Sequence, residues 1–415
     1  MSSAVKEEQM EAKAQRTAPA YRFARRMSLI DVSAVREILK VTESPDIDIS
    51  FAGGMPAPEL FPIEAMARAQ AAVYAENGPA AMQYSTTEGW TPLRNWIANR
   101  QRQIGIDSDT SRVLIISGSQ QGIDLVAKVF LDRGDFVVVD NPSYLAALQT
   151  FGAYEANFIP IDSDESGMRV DLLERALAGP TLPKLIYTNS EFQNPTGTSL
   201  SSERRDQLVE LAARYGVPIL EDNPYIELRY SGPYSAPLAA RDKTGQVIYL
   251  STFSKTVSPG IRIGWIAASA EIIKVLVTAK QSSDLHTSTV LQHALARMLE
   301  DFDYDGHINH LRSVYRTRRD AMLDALKAHF PEGARWTTPQ GGLFIWVELP
   351  ESMDGEELFV RAVKARVAFV PGAPFFAHAP RHNCIRLNFS NQSPEMIGEG
   401  IARLGKILKS GEVGI

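Results

Sequence analysis

The sequence predicts an α/β protein: a mostly parallel sheet covered by helices, followed by a smaller α+β domain toward the C terminus. Three observations carry this. The chain has 415 residues, too many for one ordinary hydrophobic core, so two domains are expected. From about residue 110 short apolar strands alternate with amphipathic helical patterns, an order that gives right-handed crossovers and parallel pairing. After about residue 285 the pattern becomes long and helical, then mixes strands with helices.

Each segment follows in order. "MSSAVKEEQMEAKAQRTAPA" is polar with both signs of charge and reads as a flexible arm over residues 1–20. It lacks the apolar core of a signal peptide, and its glutamates argue against a transit peptide. Residues 21–55 form an N-terminal segment expected to pack against the small domain and the functional site. Within it "SAVREILKVTE" is a short amphipathic helix, and "DISFAGGMPAPELFP" is too rich in glycine and proline for regular structure. The large domain is expected over 56–305. Its strands are "RVLIIS", "DFVVVD", "KLIYTNS", "VPILED", "QVIYLSTF" and "RIGWIAAS". Helical patterns such as "GSQQGIDLVAKVFLDRG" and "SSERRDQLVELAARYG" separate them. The small domain is expected over 306–415, entered through the helical "INHLRSVYRTRRDAMLDALKAHF".

Composition narrows the class of function. Hydrophobic residues make up 44% and charged residues 22%, as in ordinary globular proteins. The 43 basic and 49 acidic residues give a net charge of -6, and no long basic run is present. Nucleic acid and anionic membrane surfaces are therefore poor partners. The lone Cys384 cannot form an internal disulfide or a multi-cysteine metal site, which suits a reducing cytoplasm. No H-x-x-x-H or acidic cluster has metal-ligand spacing, so no metal is expected. No apolar run approaches the ~18 residues of a membrane helix.

The unusual residues fall where strands end, and ligands of parallel sheets bind beyond those carboxyl ends. "VPILEDNPY" puts Asp222 at such an end, with Tyr225 three residues on. An aspartate there most often caps a turn; in a dry site it binds a cation. "NSEFQNPTGTSL" makes a tight turn that can direct the Asn194 amide into the same crevice. "GSQQG", Gly118–Gly122, opens a helix with small polar residues, which suits a phosphate held by free N–H groups and the helix dipole. "STFSKTVSPGIRIGW" places Lys255 after an apolar strand, flanked by Thr252, Ser254 and Arg262. A lysine at that position is costly unless its amine has a task or a partner.

Together these strand ends offer a phosphate cradle, a buried acid, two phenols (Tyr144 and Tyr225), an amide and a lysine. That inventory fits pyridoxal 5'-phosphate: its aldehyde needs an amine, its ring nitrogen a carboxylate and its phosphate donors. Lys255 would be the Schiff-base lysine.

"STFSKTVSPGIRIGW", "NPTG", "EDNPY", "GSQQ" and the late "IRLNFS" resemble the class I/II aminotransferases of pyridoxal-phosphate fold type I. Within that family the likeness is to the branch containing 2-aminoadipate and kynurenine aminotransferases, and it runs from "SAVREILK" to the C terminus. The resemblance implies a large cofactor-binding domain on a mostly parallel seven-stranded sheet and a homodimer with shared active sites. It implies ping-pong transfer of an amino group from an L-α-amino acid of 2-aminoadipate, aromatic or aliphatic type to a 2-oxo acid, with 2-oxoglutarate as acceptor.

Roles carry over by position. Lys255 resembles the cofactor-bound lysine and Asp222 the partner of the ring nitrogen. Asn194 and Tyr225 match residues that bond the ring's phenolic oxygen, and Tyr144 matches the aromatic stacked on the ring. Ser119, Gln120, Thr252 and Arg262 match phosphate ligands. Tyr84, in "MQYSTTEGW", resembles a tyrosine reaching the phosphate from the partner subunit. Arg386 matches the arginine that grips the α-carboxylate, and Gly54 and Asn194 join the substrate-facing set. Arg36 either meets a distal substrate carboxylate or is an ordinary solvated helix arginine. Thr252 stands where serine is frequent, and Asn223 follows the key aspartate where another acid or alanine is common.

Two rival readings remain at this level. One is a different reaction on the same fold, such as β-elimination; decarboxylation is disfavoured by an arginine that retains the α-carboxylate. The other is a cofactor-binding regulator without catalysis, which would need a winged helix-turn-helix ahead of the fold, where only the polar arm precedes "SAVREILK".

Overall fold

A computed structural model describes residues 21–28, 38 and 46–410. The arm at 1–20 and Arg36 lie outside the described residues.

In chain order the strands are β1 (Ile49–Ser50), β2 (Val113–Ile116), β3 (Phe136–Asn141), β4 (Asn157–Asp164), β5 (Gly167–Met168), β6 (Leu185–Thr188) and β7 (Ile219–Asp222). Then come β8 (Val247–Thr252), β9 (Gly264–Ala267), β10 (Arg335–Trp336), β11 (Phe344–Glu348), β12 (Val367–Ala368), β13 (Val370–Pro371) and β14 (Cys384–Asn388). The large sheet runs β2-β9-β8-β7-β6-β3-β4-β5. β3, β4, β6, β7 and β8 pair in parallel, while β9 opposes both its neighbours and β5 opposes β4. The sheet has one strand more than the seven implied by resemblance. The extra strand, β5, is two residues long and folds back onto β4 where Gly167 takes a φ of 87°, a conformation suited to glycine.

β6, β7 and β8 are buried at every position, as strands of a parallel sheet covered on both faces should be, and β2, paired antiparallel to β9 at the edge, is buried as well. Capping fixes where β7 starts. Ser201 accepts a bond from Arg204 N–H at 3.2 Å to open the Ser202–Tyr215 helix. That helix ends at Gly216 with φ 66°, the left-handed turn that satisfies its last carbonyls. The chain re-enters the sheet at once and delivers Asp222 to the carboxyl end.

The 26-residue helix Tyr304–His329 leads into an antiparallel sheet ordered β10-β11-β14-β13, backed by the Gly355–Lys364 and Pro394–Ser410 helices. β1 pairs in parallel with β12, Ile49 opposite Val367. One apolar cluster joins Phe253 and Ile263, in the segment between β8 and β9, to Phe344 and Leu387 of the smaller sheet and Leu404 of the Pro394–Ser410 helix. The loop carrying Lys255 and the strand carrying Arg386 are thus tied by a shared core. Among the described residues no helix is long and apolar enough to cross a membrane.

Candidate active site

Asp222 and Thr252 end neighbouring parallel strands, with Asp222 opposite Leu250 in register. Asp222 is 2% exposed. Tyr187 Oη donates to its Oδ2 at 2.8 Å, while Oδ1 has no protein partner. Burial pushes its carboxyl up to about 7, against the Tyr187 bond and the charge of Lys255, which both lower it. Asn189 Nδ2 donates to the Asp222 backbone carbonyl, and Asn189 Oδ1 accepts from Asn194 N–H at 2.9 Å. Asn189 therefore staples the β7 end to the Asn194 turn.

Lys255 closes a short 3₁₀ turn directly after β8 and is half-buried. Its Nζ donates to the Gly54 carbonyl at 2.8 Å. Burial, with the cations of Arg386 and Arg262, lowers its amine to about 8, and Asp222 opposes the shift. An amine tuned so is a usable nucleophile and proton acceptor near neutral pH.

Arg386, on β14, is 3% exposed. Nη1 donates to Asn194 Oδ1 at 2.8 Å and Nη2 to the Ala52 carbonyl at 2.7 Å, while Nε is buried without a partner. Its guanidinium carbon lies 4.4 Å from the Phe344 ring centroid and 5.1 Å from that of Phe375. Burial lowers it to about 10, and no carboxylate pairs with it among the described residues. Such a cation calls for an anionic ligand. Tyr225 bonds the Asn194 side chain and packs edge-on to Phe344 at 6.0 Å, and burial raises its phenol far above the ordinary value. Tyr144, half-buried before the Leu145–Ala153 helix, adds its field to Tyr225 and Arg386.

The cradle follows β2. Ser119 begins the Ser119–Phe130 helix, whose first N–H groups lack intrahelical acceptors. Gly118 has φ 80°, and a Cβ there would stand 2.4 Å from Arg262 Nη2. Arg262 Nη2 donates to the Ser117 carbonyl at 3.2 Å, and no carboxylate pairs with this arginine among the described residues. Thr252 Oγ1 is engaged within its own turn, donating to the Ile263 carbonyl at 3.0 Å and accepting from Ser254 N–H at 3.1 Å. The Gln120 carboxamide turns to Thr150 Oγ1 at 2.7 Å, so its backbone N–H is what it can offer an anion. Tyr84 is 78% exposed, edge-on to His286 at 5.8 Å.

A model of the family described as aminotransferase class I and II matches residues 52–404. The chain belongs to that family. The aminotransferase is 46% identical to an aromatic-amino-acid aminotransferase of Thermococcus litoralis, over 93% of this chain and 94% of that protein. It is 42% identical to a 2-aminoadipate transaminase of Thermus thermophilus, over 93% of this chain and 96% of the relative. Among solved structures it is similar to an α-aminoadipate aminotransferase of the same organism complexed with N-(5'-phosphopyridoxyl)-L-leucine. The TM-score is 0.87 at 40% identity, covering 94% of this chain and 97% of that one.

Pyridoxal phosphate is the cofactor of this aminotransferase, and the residues present fit it. Asp222 Oδ1 is a buried acceptor without a partner, suited to a ring N–H. The cradle that a Gly118 side chain would fill faces an arginine that lacks an acid. Lys255 stands between these two features electrostatically, sensing both Asp222 and Arg262.

Of the residues expected from sequence, the structure brings Lys255, Asp222, Asn194, Tyr225, Arg386 and Gly54 into one contiguous network. Tyr187 and Asn189 are additional members. Alternation could have found Tyr187: it registers with Leu220 on the adjacent strand, so it shares a face with Asp222 two residues on.

Proposed function

We propose that this aminotransferase acts on L-α-amino acids with aromatic or 2-aminoadipate-type side chains and uses 2-oxoglutarate as acceptor. The named substrates of its relatives support that class. One observation carries the reading of the site: the buried, acid-free Arg386 lies beside an amine whose proton affinity it depresses.

When bound, the cofactor supplies an electron sink that makes the substrate α-proton acidic. Lys255 would bind its aldehyde covalently, Asp222 would face its ring nitrogen, and Asn194 with Tyr225 would face its phenolic oxygen. Tyr144 would cover one ring face. Ser119, the Gln120 backbone and Arg262 would hold the phosphate, and Thr252 would join them on turning its hydroxyl hydrogen from the Ile263 carbonyl. Arg386 grips the substrate α-carboxylate in two parallel charge-assisted bonds, beside Gly54 and Asn194. That grip would present the α-proton to Lys255 Nζ, which, once the substrate amine has replaced it on the aldehyde, is free to take the proton and give one back. Asp222 stays anionic and holds a proton opposite its Oδ1.

Several finer features belong to the same proposal. The chain divides near residue 305 into a large and a small domain, with the stretch before residue 56 on the small-domain side. It works as a cytoplasmic homodimer in which Tyr84 reaches the partner subunit's phosphate. The exposed apolar side chains of Met55, Ile63, Tyr74, Met82, Tyr84 and Leu285 support a covered face.

The test is a half-reaction followed by a donor panel. Amino acid given without acceptor should release one equivalent of its 2-oxo acid per site and no ammonia; ammonia would signal elimination instead. Donors are then ranked by glutamate formed from 2-oxoglutarate.

A further inference from the structure

The phosphate cradle is braced from behind by side chains that touch none of the reacting groups. Lys280 lies in the Ala270–Gln281 helix and is 0% exposed. Its Nζ donates to Asp284 Oδ1 at 2.6 Å and to Gln121 Oε1 at 3.3 Å. Gln121 Nε2 donates to Asp284 Oδ2 at 2.7 Å, which closes a ring of three side chains. The ring grips Ser117 twice: Ser117 N–H donates to Gln121 Oε1 at 2.7 Å, and Ser117 Oγ to Asp284 Oδ2 at 3.2 Å. Ser117 in turn receives Arg262 Nη2 on its carbonyl.

A buried lysine needs a stated reason, because taking an ammonium out of water is costly unless it is paired and hydrogen-bonded. The pairing here is thorough. Burial raises the Asp284 carboxyl, but the bonds from Lys280, Gln121 and Ser117 outweigh it and hold the group below its ordinary range. Burial lowers the Lys280 amine, and Asp284 opposes that shift. The pair is thus charged and internally neutral. It adds no net repulsion to a bound phosphate while fixing the one residue between β2 and Gly118.

We propose that Lys280, Asp284 and Gln121 are positioning residues for phosphate capture: their ring locks Ser117, and through its carbonyl the Arg262 guanidinium, before the cofactor arrives. This rests on the reading of Gly118, Ser119 and Arg262 as the phosphate cradle. Without the ring the Ser117–Gly118 turn and Arg262 would sample other arrangements, and part of the binding free energy would be spent on ordering them. A cofactor analogue without phosphate gains nothing from the ring.

The test measures dissociation constants of the full-length, cofactor-depleted chain for pyridoxal 5'-phosphate and for pyridoxal, by absorbance titration. Lys280→Met strands Asp284 as an uncompensated anion, and Gln121→Ala removes the Ser117 N–H acceptor without stranding a charge. Each should weaken pyridoxal 5'-phosphate about tenfold, the worth of one or two hydrogen bonds, and leave pyridoxal within about twofold. Gln121→Ala keeps the test decisive if Lys280→Met does not fold. Equal weakening of both ligands, or no change in either, overturns the proposal. If the unaltered chain binds pyridoxal as tightly as pyridoxal 5'-phosphate, the cradle reading itself falls, and the two failures are distinct.

Discussion

Tyr187 donates its phenolic hydrogen to Asp222 Oδ2 across two parallel strands, at 2.8 Å and with neither side chain more than 2% exposed. It is the one side-chain donor that reaches this carboxylate among the described residues. Tyr187→Phe keeps the ring and its edge-on packing against Phe151, at 5.6 Å, and removes only that donor. Because the bond favours the charged carboxylate, its loss raises the proton affinity of Asp222 further. At pH 7 kcat should fall about tenfold, and the acid limb of the kcat profile should move to higher pH. A profile of unchanged shape would leave Tyr187 a packing residue only.

Lys255 gives a second pH signature. Its amine is lowered to about 8, with burial the largest cause and the Arg386 cation the next. Cofactor capture by the depleted chain should therefore quicken with pH and level off above about 8. An ordinary solvated lysine would keep accelerating past 10. Arg386→Gln removes one depressing charge, so its capture midpoint should shift upward. The same variant should raise KM for the amino acid about a hundredfold, from loss of the paired carboxylate contact. Stopped-flow absorbance reads the first effect and steady-state kinetics the second.

The parallel sheet was legible because β3, β6 and β7 are short, apolar and set among helical patterns, so periodicity and order agree. β4 escaped that reading. It carries Pro160 and partly exposed residues near the sheet's edge, where a proline costs no central ladder bond. The Ile63–Ala81 helix is equally faint, being alanine-rich and interrupted at Asn77, which has non-helical φ and ψ. In the site, residues that break a local rule stood out: a lysine after a buried strand, an acid at a strand end, and an arginine among apolar neighbours. Tyr187 and Lys280 did not, because a tyrosine in a strand and a lysine in a helix obey every local rule. Their roles come from register and from contacts over long sequence separations, such as Lys280 with Gln121.

The closeness of Gly118 to Arg262 gives a third prediction. Gly118 has φ 80°, and a Cβ would meet Arg262 Nη2 at 2.4 Å and Cζ at 2.8 Å. Gly118→Ala therefore pays backbone strain of about 1–3 kcal/mol and also displaces the arginine. The melting temperature should drop, and affinity for pyridoxal 5'-phosphate should fall at least about tenfold, while pyridoxal is held as before. Differential scanning calorimetry with absorbance titration checks both. Full affinity in this variant would remove Arg262 from the phosphate site.

The last prediction separates stability from turnover at Asp222. Its folded carboxyl sits at about 7, above the ordinary 3.8, chiefly through burial. A group shifted this way favours the folded state at low pH, where it is protonated in both states. That advantage is lost as pH rises from about 4 through about 7. In the cofactor-depleted chain at pH 8 the buried anion costs up to about 4 kcal/mol, an upper bound because relaxation lowers it. Asp222→Asn removes the charge and leaves an oxygen to accept from Tyr187. Without cofactor the variant should melt above the unaltered chain at pH 8, with the gap closing toward pH 4. With cofactor it should turn over at least about a hundredfold more slowly, having no anion to hold the ring proton. Melting curves across that pH range, paired with kcat, measure the exchange; a variant less stable at pH 8 than at pH 4 relative to the unaltered chain would show that the Asp222 charge is not a burden on the fold.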